Sequence, residues 1–110
     1  MINYITNLLF ARRKYIENVR DAIAGYEYSQ TSDNLNKICL ETHKLARFYN
    51  DIYWPKHEYV LGQYIWKLQQ LEGAELALAI YDYQLWLNGL VRWKWLSSMV
   101  EEKFRKSVRR

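Results

Sequence analysis

The sequence predicts an all-α protein: a four-helix bundle, mostly antiparallel, with a long basic C-terminal helix. Three observations carry that expectation. Apolar side chains recur at alternating steps of three and four along most of the chain, the period of one helix face. Four glycines and one proline in 110 residues leave few sharp turns. Half the residues are hydrophobic and 16% are aromatic, enough to fill a core shared by a few long helices. The length suits a single domain spanning residues 1–110.

The first helix is expected over residues 3–24. Ile5, Leu9, Ile16, Val19 and Ile23 share a face, and Arg12 falls on the line between Leu9 and Ile16. Asn3 suits an N-cap and Gly25 a stop. Phe10, Arg12, Arg13, Lys14 and Tyr15 form a cationic cluster with aromatic neighbours. Glu17 lies one turn beyond Arg13, so the two can pair and screen it.

The polar stretch YSQTSDN then connects to a second helix over 33–52, capped by Ser32 or Asp33. Leu35, Ile38, Thr42, Leu45, Tyr49 and Ile52 form its seam. Pro55 ends it, because the residue before proline avoids helical geometry, and Trp54 is expected extended at the corner.

Pro55 also suits the first turn of a third helix over 56–72, whose apolar side is broad: Tyr59, Val60, Leu61, Tyr64, Ile65, Trp66, Leu68 and Leu71. The seam slips near Gly73, since eight residues separate Leu68 from Leu76 where seven keep register. Gly73 is therefore placed as the break, with Gly89 as its rival.

The last helix is expected over 74–107, roughly 50 Å if unbroken. Its seam reads Leu76, Ala79, Tyr83, Trp86, Leu90, Trp93, Ser97, Val100 and Phe104. Leu78, Tyr81, Leu85, Trp95 and Met99 form a second apolar line, interrupted by Asn88 and Arg92. A helix with two apolar faces is buried on both or meets a partner on one. Tyr81, Leu85, Trp95 and Met99 are the candidate interface.

Net charge is +4, and it is uneven. Residues 92–110 hold seven basic against two acidic side chains, a net +5, which leaves −1 for residues 1–91. A local positive field attracts polyanions, although cations also suit the negative end of a helix dipole. The lone cysteine, Cys39, cannot form an internal disulfide and fits a reducing compartment. No apolar run approaches the ~20 residues needed to cross a bilayer. The opening MINYITNLLFARRK has its positive charges after the apolar stretch, unlike a secretory signal. The expected setting is intracellular and cytoplasmic.

Catalytic and metal chemistry find little support. His43, His57 and Cys39 are too few for a tetrahedral zinc site, and Glu41 with His43 points to different sides of a helix. Cys39 and His43 are one turn apart, but Cys39 borders the packed seam, where a core role is expected. Among Glu72, Glu75 and Asp82, Glu72 lies nearest the seam and could be a partly buried acid. No glycine-rich phosphate loop or nucleophile elbow is present. The reading is of a non-enzymatic protein with neither cofactor nor metal.

The nucleic-acid signal is the alternation of Arg92, Trp93, Lys94 and Trp95, followed by Lys103, Arg105, Lys106, Arg109 and Arg110. Trp93 lies on the seam. Arg92, Lys94, Trp95 and the five later cations are the candidate nucleic-acid contacts, with Trp95 stacking on a base and the cations meeting phosphates. The leading expectation is a nucleic-acid-binding or nucleoprotein-assembly subunit. The alternative is a protein-interaction or homo-oligomerisation module without a nucleic-acid role, and a membrane-surface role comes third.

Overall fold

The structure, a computed structural model, describes residues 2–91. It is a four-helix bundle: α1 (Ile2–Tyr28), α2 (Ser32–Asp51), α3 (Pro55–Gln70) and α4 (Gly73–Leu90). Consecutive helices pack on one another, and α1 closes the ring against α4. Turns of two or three residues make each neighbour antiparallel. No strand occurs among the described residues, and no helix there is long and apolar enough to cross a membrane.

α1 passes through Gly25, where a stop was expected, and ends at Tyr28. Asn3, expected as its cap, already lies inside the helix. The Gly25 carbonyl still accepts from the Ser29 amide at 3.0 Å, so the ladder continues. Thr31, rather than Ser32 or Asp33, caps α2: its hydroxyl accepts from the Asn34 amide at 3.2 Å. Asn34 reaches back and donates to the Ser29 carbonyl at 2.7 Å, so one side chain serves both sides of the corner.

α2 ends in a Schellman motif. The Trp54 amide donates to the Tyr49 carbonyl and the Tyr53 amide to that of Asn50. Tyr53 sits at the left-handed position, φ 57°, where glycine is usual. Trp54 then leaves helical geometry (φ −119°, ψ 72°) and Pro55 opens α3, as the proline argument requires. The break between α3 and α4 falls at Gly73, φ 59°, as the seam slip predicts. A Cβ there meets none of the described residues within 4 Å, and the positive φ is what calls for glycine.

α4 runs through Gly89, the rival break, and is closed at Leu90, with Val91 in a turn. The part of the expected 74–107 helix from residue 92 onward lies outside the described residues. Up to Leu90 the seam is as read: Leu76, Ala79, Tyr83 and Leu90 are buried and Trp86 is half-buried.

The core is built from Ile16, Val19 and Ile23 of α1, Ile38, Leu45 and Tyr49 of α2, Leu61 and Leu68 of α3, and Tyr83, Leu87 and Leu90 of α4. Tyr64 and Tyr83 stack with centroids 4.4 Å apart. α2 and α4 lie diagonally, yet a polar tie joins them. The hydroxyls of Thr42 and Tyr83 are 2.8 Å apart, and Thr42 Oγ1 also donates to the Ile38 carbonyl at 2.7 Å.

Candidate functional site

Of the residues expected to contact nucleic acid, Arg92, Lys94, Trp95, Lys103, Arg105, Lys106, Arg109 and Arg110 all lie outside the described residues, as does Met99 of the expected interface. Tyr81 and Leu85 are described. They stand one turn apart on the outer face of α4 and are more than half exposed, as is Leu78.

Tyr81 and Leu85 border a groove of about 580 Å³ between α4 and α1, faced by Glu17, Arg20, Asp21 and Ala24. Gln84 donates to Glu27 across the same two helices at 2.7 Å. A second hollow of about 440 Å³ shares Glu17 and Arg20 with the first and continues to Thr6, Leu9, Phe10, Arg12, Arg13 and Val91. The two form one groove along α1, of mixed charge beside Tyr81 and richer in arginine toward Phe10.

The N-terminal cationic cluster is divided by the fold. Arg13 pairs with Glu17, Nε to Oε1 at 3.1 Å, as the spacing predicts. Tyr15 turns inward and packs on Phe48 with centroids 5.6 Å apart. Phe10 stays 75% exposed, and Lys14 and Arg20 are exposed. Phe10, Arg13, Glu17 and Arg20 step three, four and three along α1 and so share one face.

Arg12 takes the opposite course and is buried. Its Nε donates to the Tyr49 hydroxyl at 3.2 Å, and its Nη2 donates to the Leu90 carbonyl. A cation at the carbonyl end of a helix offsets the negative end of the dipole and takes an acceptor that the ladder leaves open. Burial lowers the Arg12 pKa, while Tyr49 acts the other way. Burial also raises the Tyr49 pKa, against the pull of Arg12.

His57 completes this end of the bundle. It is buried with its ring against Tyr49 (5.1 Å), Trp86 (5.5 Å) and Trp54 (6.1 Å). Burial, then the charges of Arg12 and Lys56, push its pKa down to about 4. The ring is neutral near pH 7 and serves as packing.

The other candidates for chemistry separate. Burial pushes the Cys39 thiol up, so it is a poor nucleophile, and His43 points to solvent. Glu72, expected as a partly buried acid, is exposed, because it sits in the extended turn before Gly73. Among the described residues no three of His, Cys, Asp and Glu come together as metal ligands. Sequence reasoning did not single out Arg20 or the core role of Arg12. The signal for Arg12 was its place on the apolar line of α1.

Comparison with protein-family models, with curated proteins and with solved structures finds no match to this chain.

Proposed function

We propose that this is a small non-enzymatic helical protein that binds nucleic acid, or assembles a nucleoprotein, through its cationic C-terminal segment. One observation carries the reading: residues 92–110 bear a net +5, while residues 1–91 bear −1. A nearly neutral body with one strongly positive segment concentrates its attraction for phosphates in that segment. Trp95, which the sequence pattern sets off the packed seam, adds a stacking surface for bases.

The test is anisotropy of a labelled single strand and a labelled duplex at about 50 and about 200 mM salt. About five phosphate contacts on a single strand predict roughly 100-fold weaker binding at the higher salt. Absence of binding at the lower salt overturns the reading.

The exposure of Leu78, Tyr81 and Leu85 on one face of α4 favours a second reading, a protein-interaction or self-association module. Light scattering decides it. A strict monomer at high concentration, with Leu85→Ser changing nothing, removes self-association.

A further inference from the structure

We infer that the face of α1 carrying Phe10, Arg13 and Arg20 is a subsite for one nucleotide of single-stranded nucleic acid, with the base on Phe10 and the phosphates on the two arginines. This rests on the nucleic-acid reading above and goes further, since it places a contact in the helical body and names the strand form.

Four observations bring it together. Phe10 is a large apolar ring left 75% exposed, one turn from Arg13. Arg13 has a 75% exposed side chain and uses only Nε–H on Glu17, so the rest of its donor fork is available. Arg20 is exposed on the same face two turns on, and it makes no hydrogen bond or ion pair with the described residues. The hollow that joins these groups holds about 440 Å³, within the range of small-ligand sites.

The chemistry favours a single strand. An aromatic ring stacks on any unpaired base, whereas a duplex hides its base faces. The arginines supply charge-assisted bonds to phosphate oxygens. Glu17 opposes them: it is the one acidic group among the described residues of this hollow, and it holds an edge of Arg13. Removing its charge therefore strengthens binding. That sign separates an anion site from a charged helix face whose role is to stabilise α1, where the same change weakens the helix and does nothing for affinity.

The experiment titrates the full chain with a labelled oligothymidylate of roughly ten nucleotides and with a duplex of equal length, at about 50 mM salt. Expected for Phe10→Ser is about 5- to 150-fold weaker binding to the single strand, with duplex affinity unchanged. Arg20→Gln weakens single-strand binding and flattens its salt dependence by about one phosphate contact, a slope change near 0.7. Glu17→Gln tightens binding. All three positions are exposed, and circular dichroism of each variant confirms the helical fold.

If the chain binds and all three variants behave like the parent, the subsite is overturned and the C-terminal reading stands. If the chain binds neither probe, both fall. Equal losses on single strand and duplex from Phe10→Ser overturn the stacking role. Equally tight binding of polyglutamate marks a general acidic-partner surface and overturns the nucleotide assignment.

Discussion

The Arg12 guanidinium donates to the carbonyl oxygen of Leu90, joining the middle of the first helix to the last residue of the fourth across 78 positions of sequence. The same group donates to the Tyr49 hydroxyl at the end of α2. One buried cation thus ties three helices at one end of the bundle. Its removal orphans two acceptors. Arg12→Met is expected to lower stability by about 2–4 kcal/mol, read as a fall in the urea midpoint. Tyr49→Phe costs about 1–2 kcal/mol, and the double variant loses less than the sum. An unchanged midpoint in Arg12→Met means the tie contributes nothing.

His57 makes stability depend on pH. Its folded pKa, about 4, lies below the ordinary 6.5, so between those values the unfolded chain binds more protons. The stabilisation is complete above pH 6.5 and is lost as pH falls toward 4, by up to about 3 kcal/mol. His57→Phe keeps a ring among Tyr49, Trp54 and Trp86 and abolishes this contribution. Urea melts of parent and variant should diverge between pH 7 and about pH 4.5, the parent losing more. Parallel pH profiles rule out the histidine as the source.

The hydroxyls of Thr42 and Tyr83 meet in the buried core, where burial raises the Tyr83 pKa and keeps the phenol protonated. Thr42→Val preserves shape but leaves that phenol without its partner, at a cost of about 1–3 kcal/mol. Tyr83→Phe added to Thr42→Val removes the orphan and recovers part of the loss. Thermal denaturation of the single and double variants tests this, and a double variant less stable than Thr42→Val refutes it.

Backbone angle sets the sign at three positions. Gly89 lies inside α4, where a Cβ meets none of the described residues within 4 Å, so Gly89→Ala should add about 0.5–1 kcal/mol. Gly73 has equal room but φ 59°, so Gly73→Ala should cost about 1–2 kcal/mol. Tyr53, exposed at φ 57°, is the converse, and Tyr53→Gly should add about 1 kcal/mol. Melting temperatures that shift the same way for both alanine variants contradict the assignment.

The helices were legible because their seams are long and regular. Ile38, Thr42, Leu45 and Tyr49 are all buried where the three-and-four stepping put them. The break at Gly73 was legible from a slip of register, which only a change of helix explains. The stop at Gly25 misled because glycine in a helix costs only about 1 kcal/mol, which packing outweighs. The α2 cap was placed one or two residues late because Thr31, Ser32 and Asp33 are all capable caps, and sequence does not rank them. The paired Arg13 and Glu17 followed from spacing within one helix. The contacts of Arg12 with Tyr49 and Leu90 did not, since they depend on which helices meet, and periodicity carries no such information.

The joining of Arg12 to Leu90 also orders events during synthesis. Chains are synthesised N-terminus first, so Arg12 and Tyr49 are both made before residue 90 exists. Until then Arg12 lacks the α4 carbonyl to which it donates in the folded chain. The tie from Arg12 to the Leu90 carbonyl therefore forms only after α4 has been translated.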